Sequence, residues 1–209
     1  AEFATDKILM QREVAFAAGF FTTSVWGTDK AGGTDFTKWS DYATSTPLVD
    51  VSAWVDSIEA GIGREPNRLV MGKQVWTSLK WHPDLIDTIK YTQRAQMSLE
   101  LAASLFEIEN ILIGRAIYTT SPEGTAEASV TYSRIWGKNA LLIYVPSVPS
   151  LRTPAAGYTF TWRRVPNSLR YIKRMRDEER EADIIEANAY YDHKVTGASA
   201  GLFASAAVA

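Results

Sequence analysis

Not one of the 209 residues is a cysteine. That excludes disulfides, cysteine-ligated zinc, iron–sulfur clusters and thiol nucleophiles together. The chain must therefore be held by burial, and its length allows one substantial core or two small ones that share an interface. Hydrophobic residues make up 46% and charged residues 22%, the ordinary proportions of a soluble globular protein. Lys plus Arg total 22 against 24 Asp plus Glu, a formal charge of -2. A protein that grips nucleic acid shows a basic excess or stripe, so that function is disfavoured as the main one. Asp6, Lys7, Arg12 and Glu13 interrupt any signal-peptide-like apolar stretch. The longest dense apolar run, Ala140 to Val145, falls far short of the ~20 residues of a membrane helix. The expectation is a soluble protein folded in a reducing cytoplasm. The start at Ala1, leading almost at once into a helix, reads as a piece cut from a longer polypeptide or as a chain whose N-terminal part is missing.

The pattern along the chain predicts an α+β protein, helices early and strands late. Thr5 or Asp6 can cap a helix reaching about Thr23, with Ile8, Leu9, Phe16 and Phe20 near one face. Gly27 to Asp35 reads as an exposed loop. A second helix has Thr46 as cap, Pro47 at its first position and Val51, Trp54, Val55 and Ile58 as its buried face, with Gly61 or Gly63 ending it. Arg68 to Met71 reads as a short buried strand, followed by a helix from Lys73 to Lys80. His82-Pro83 breaks that helix, and Asp84 to Tyr91 forms another turn or two. A helix from Ser98 to Phe106 precedes a strand at Ile111 to Tyr118. Val130 to Ile135, Ala140 to Val145 and Tyr158 to Arg163 are further strands, with turns at Pro122-Glu123-Gly124 and Gly137-Lys138-Asn139. After Gly197 the chain becomes an Ala/Ser-rich, low-complexity end.

The sequence offers few candidate catalytic groups. His82 and His193 are the two histidines, and no Gly-x-Ser-x-Gly elbow accompanies them. His82, between Trp81 and Pro83, reads as a structural helix-ending corner, and His193, beside Asp192 and Lys194 in a strand, as a solvated side chain. Met71-Gly72-Lys73 sits between a strand and a helix, but Asn67 and Gln74 occupy positions where a phosphate-binding loop requires Gly and Ser or Thr. The carboxylate pairs Asp84/Asp87 and Glu107/Glu109 would serve catalysis only if they faced one cleft, and charge runs are usually solvated faces. No EF-hand or His-based metal motif is present, and no cofactor is expected. The chain has seven Trp and nine Tyr. Trp54 lies on an apolar helix face and Trp76 at helix spacing from Leu79, which favours core or interface packing over sugar stacking.

From Arg170 to Lys194 the sequence becomes highly charged, basic residues mostly first and acidic ones after. Folded as a hairpin turning near Glu179-Arg180, it places Arg176 opposite Asp183 and Lys173 opposite Glu186. As a free surface such pairs contribute only ~0–1 kcal/mol each. As an arm meeting a neighbouring subunit, the same charges set register and specificity. Lys173, Arg174, Arg176, Glu178, Glu179, Arg180, Asp183 and Glu186 are the candidate subunit-interface residues.

Segments spread over nearly the whole chain resemble, in order, the major capsid protein of tailed bacteriophages. The most telling run is Pro66 to Gly72, Val75-Trp76, Leu79, His82-Pro83-Asp84 and Ile89-Lys90-Tyr91, then Leu101-Ala102, Leu105 to Ile108, Ile111 to Gly114 and Ala116. Phe3 to Leu9, Trp39 to Asp41, Ser45 to Pro47 and Asp192 to Val195 also fit. The resemblance implies an axial domain, a peripheral domain with a long helix and long β-strands, an extended loop and an N-terminal arm. Residues 1–45 would be the peripheral-domain helix and following loop, 46–165 mainly the axial domain, and 166–209 peripheral-domain strands and the C-terminal end. The arm and most of the extended loop would precede Ala1 and are expected to be missing.

The resemblance implies a non-enzymatic subunit of an icosahedral capsid. Its partners would be copies of itself in pentamers and hexamers, other capsid or scaffolding proteins, and packaged DNA contacted without sequence preference, with no membrane. It would reside in the virion and assemble in the bacterial host cytoplasm. Two alternatives stand beside it: an encapsulin-like compartment, and a hydrolase or carbohydrate-binding α+β domain using the carboxylates and aromatics.

Overall fold

The computed structural model describes residues 2–90, 97–122, 124–150, 152–162, 164 and 170–209. Helix α1 (Glu2–Phe20) begins before the expected cap, and Thr5 is buried inside it. The stretch expected as a loop holds strand β1 (Thr28–Ala31), paired in parallel with a strand near the C-terminus. Gly, Thr and Asp signal a turn locally, and a distant partner overrides them. Helix α2 (Pro47–Ile62) has Pro47 in its first turn and ends at left-handed Gly63 (φ 66°), whose amide donates to the Glu59 carbonyl. Thr46 precedes it without making a side-chain cap bond. Strand β2 (Arg68–Gly72) runs directly into α3 (Lys73–Lys80), and α4 (Pro83–Ile89) follows the His82 corner. In α5 (Leu99–Leu105) the Ser98 hydroxyl accepts the Leu101 amide.

The run expected as one strand from Ile111 to Tyr118 is two, β3 (Asn110–Gly114) and β4 (Ile117–Thr119), in different sheets. The break falls at Gly114, where a Cβ would sit 2.1 Å from the Trp136 indole, so the ring is seated on bare backbone. Strands β5 (Tyr132–Arg134), β6 (Ala140–Ile143), β7 (Gly157–Thr161), β8 (Tyr171–Asp177), β9 (Ala182–Asn188) and β10 (Tyr191–Val195) follow. The end that reads as low complexity contains β11 (Gly201–Ser205), which is almost wholly buried. Its small residues are a packing device, since alanines let neighbouring elements approach closely. The expected helix end at Tyr91, the turn residue Glu123 and the strand end at Arg163 lie outside the described residues.

The main sheet has the order β1-β11-β6-β2-β3. β6 runs antiparallel to both its neighbours, and the outer pairs β1–β11 and β2–β3 are parallel. Period-two alternation divides its side chains between two cores. Leu69, Met71, Leu142, Leu202 and Ala204 join Val51, Trp54, Ile58, Val75, Leu79 and Leu85 from helices α2 to α4. Leu141 and Phe203 point the other way and join Ala17 of α1, Phe21 and Trp26. Because β6 and β11 are covered on both faces, their continuous apolar runs are what such strands require. Trp39 is fully buried, its indole N–H donating to Asp50 at 2.9 Å and its amide to the Ala207 carbonyl at 2.8 Å. Burial pushes the Asp50 carboxyl up from its ordinary value, the Trp39 bond opposing this and the Asp84 charge adding to it.

The two-faced sheet predicts a sharp contrast within it. Leu142→Ala, at 1% exposure, should lose about 2–5 kcal/mol in urea unfolding. Leu112→Ala on the edge strand, at 51% exposure, should change stability by less than about 0.5 kcal/mol. Equal losses at both positions would contradict the assignment of the core.

Candidate subunit interface

Beyond the main sheet the chain forms a ribbon. It consists of two strand pairs, β7 with β10 and β8 with β9. β7 pairs antiparallel with β10, from Gly157↔Val195 to Thr161↔Tyr191, and β8 pairs antiparallel with β9. Each is a two-stranded sheet, so each strand keeps one edge outside its sheet. The β8–β9 register places Arg176 opposite Asp183 and Lys173 opposite Glu186, as the charge pattern predicts.

The turn is longer than a two-residue one because Glu-Arg does not adopt that geometry readily. Asp177 Oδ1 accepts the amides of Glu179 at 3.1 Å and Arg180 at 3.3 Å, its other oxygen lies 3.6 Å from Arg180 Nε, and Glu181 completes the turn at φ 48°. Glu178, Glu179 and Arg180 therefore form the tip, Lys173, Arg174 and Arg176 lie on β8, and Asp183 and Glu186 on β9. All eight are exposed. Arg176 reaches Asp183 at 3.2 Å, with their side chains 51% and 74% exposed, so this pair fixes register and adds little stability. Arg174 stands opposite Ile185, and among the described residues neither it nor Lys173 has a carboxylate within ion-pair distance.

The junction between ribbon and α1 contains a group the sequence places elsewhere. His193 is half-buried rather than solvated, its ring 5.4 Å from Phe16, 6.1 Å from Phe20 and 4.9 Å from Tyr191. Its Nδ1 lies 2.9 Å from the Thr159 hydroxyl. Its Nε2, Trp136 Nε1 and Glu13 Oε2 are buried without a hydrogen-bond partner among the described residues. Burial lowers the His193 pKa, Arg12 lowers it further and Asp192 opposes them. The alternation along β10 signals a strand but not the aromatic helix that covers it.

His82 is structural, as expected, though its neighbourhood imitates a catalytic pair. It is 1% exposed, and its Nε2 lies 2.7 Å from the Ser45 hydroxyl. Nδ1 accepts the Asp84 amide at 3.2 Å, which assigns the ring proton to Nε2. His82 is then the donor and Ser45 the acceptor, while the Ser45 hydroxyl itself donates to the Asp41 carbonyl. That polarity is opposite to the one a general base needs. One carboxylate of each pair is also engaged in the scaffold: Asp84 accepts the Leu48 amide at 3.4 Å, and Glu109 lies 3.6 Å from Arg68 and accepts from Asn67 at 3.1 Å. Among the described residues no group of three His, Asp or Glu could hold a metal ion, and no helix is long and apolar enough to cross a membrane.

The main sheet thus carries an exposed charged ribbon, and comparison with known proteins defines the class of the chain. The family model for phage major capsid protein E matches residues 29–182. A major capsid protein of Burkholderia phage BcepMu is 32% identical over 166 residues, covering 78% of this chain and 51% of that protein. The chain thus spans about half the length of this curated relative. The crystal structure of a phage-related protein from Bordetella bronchiseptica RB50 shares the fold, with a TM-score of 0.79, 22% identity and coverage of 97% of this chain and 64% of that one. The chain belongs to the phage major capsid protein E family, a family of structural bacteriophage capsid proteins.

His82 and His193 predict a shared acid response. Both have pKa values depressed below the ordinary 6.5, chiefly by burial, with Asp84 opposing the shift at His82. The folded state thus holds fewer protons than the unfolded one, so their contribution is present above about pH 6.5 and is lost as pH falls through the folded values. Urea midpoints should decline from about pH 7.5 to 5.5, and His82→Asn, which keeps an acceptor for the Asp84 amide, should flatten that decline. A midpoint that rises on acidification would reverse the sign.

Proposed function

We propose that this chain is a structural subunit of an icosahedral bacteriophage capsid, assembling with its own copies into pentamers and hexamers around packaged DNA. The observation that carries this reading is the exposed ribbon. Tyr171, Ile172, Met175, Ile184, Ile185 and Tyr190 are 37–43% exposed, the first five interleaved with charges on β8 and β9, with α1 lying against β9. Apolar side chains clustered on a projecting element mark an association surface. A sheet covered on both faces beneath it supplies a stiff base.

On this reading α1 and the ribbon form the peripheral domain. Segment 46–165, which contributes helices α2 to α5 and strands β2, β3 and β6 of the main sheet, forms most of the axial domain. DNA contact is non-specific, since the chain's formal charge is -2 and a shell encloses a genome without reading it. Other capsid or scaffolding proteins are compatible partners, assembly takes place in the host cytoplasm, and the subunit carries out no catalytic step.

Reversing Arg174 and Arg176 to Glu tests the interface. The reversed chain should keep its circular dichroism spectrum and stay small in light scattering, whereas the unaltered chain gives large particles. Unchanged assembly by the reversed chain would remove the ribbon from the contact.

A further inference from the structure

We propose that copies of this chain join edge to edge through their ribbons, β8 of one copy against β9 of the next, always in the same direction around a closed ring. The inference rests on the shell-subunit reading and adds to it the mode of contact.

Charge is separated by strand. β8 carries Lys173, Arg174 and Arg176, with its single acid, Asp177, committed to the turn. β9 carries Asp183 and Glu186 and no basic residue. Among the described residues each strand has one edge paired within the hairpin and no strand paired on the other, with α1 lying against β9. The hairpin's own pairing leaves charge unused. Arg176 is held by Asp183, but Lys173 and Arg174 on one edge and Glu186 on the other form no ion pair among the described residues. A basic strand and an acidic strand thus form opposite sides of the same hairpin.

This arrangement selects among the ways two copies can meet. Pairing related by a two-fold axis would bring β8 against β8, or β9 against β9, placing like charges opposite one another, which is destabilising. Pairing β9 of one copy with β8 of the next places acid against base. When the hairpins stand side by side pointing the same way, that contact is antiparallel, the geometry β8 and β9 already share. It is also heterologous, so repetition generates a ring when the rotation closes. Ladder hydrogen bonds supply affinity, while the apolar residues on both faces, Met175 and Ile184 on one and Ile172 and Ile185 on the other, continue across each junction. Charge then sets direction.

The chain has no cysteine, so introduced thiols report the contact cleanly. Met175→Cys on β8 and Ile184→Cys on β9 leave every charge in place. Each variant alone, and the two mixed before assembly, is treated with a bismaleimide, and particle mass is followed by light scattering. The proposal expects the mixed, β8-to-β9 dimer to exceed either self-linked dimer by about tenfold, because only neighbouring edges experience a high effective concentration. Large particles in which Met175→Cys links to itself, or in which no variant links, would overturn the edge pairing and leave the shell reading standing. A chain that stays monomeric and unlinked in every mixture would overturn both.

Discussion

The insertion of β11 between β1 and β6 is the contact on which the rest of the structure depends. It brings Leu202 and Ala204 to one core and Phe203 to the other. It also draws in β1, whose pairing in the main sheet is with β11. Two glycines make room for the arrangement: a Cβ on Gly201 would lie 2.3 Å from the Trp26 ring, and one on Gly32 would lie 2.1 Å from the Ala206 carbonyl. The contact is long-range, because β1 pairs in this sheet with β11, and β11 in turn with β6.

The ribbon inherits its position from that sheet. The Tyr144 amide bonds to Ala200, the Ala156 amide to Tyr144, and the Thr196 amide to Ala156, so the base of β7 and β10 is stitched to the end of β6 and the start of β11. Helix α1 then packs against the base through Phe16 and Phe20 at His193. Burial at the base supplies stability, while the exposed Arg176–Asp183 pair on the hairpin bears on its register. Neither could replace the other, since exposed ion pairs add little stability and apolar burial is not directional.

Much of this was legible in the sequence where local chemistry and tertiary demand agree. Pro47, Val51, Trp54, Ile58 and Gly63 define α2 without help from elsewhere, and the charge order of Arg170 to Glu186 gives the β8–β9 register down to Arg176 opposite Asp183. The failures share one cause. β1 hides in a Gly/Thr/Asp stretch and β11 in an Ala/Ser-rich one, because their strand character comes from each other and from β6. The division of β3 from β4 depends on an indole arriving at Gly114 from Trp136, and the burial of His193 on rings from α1. For the charged hairpin, the charge order alone indicated the pairing of Arg176 with Asp183 and of Lys173 with Glu186. It carried no sign that Lys173 and Arg174 would form no ion pair among the described residues, because that follows from side-chain geometry.

The central claim is that the ribbon is where subunits meet. An electron-microscopy reconstruction of particles formed by this chain tests it most directly, because it locates β8 and β9 relative to neighbouring copies. The account predicts both strands buried at subunit contacts, with density continuous from one ribbon to the next. Particles whose ribbons project into solvent, with subunits joined only through the main-sheet domain, would contradict it.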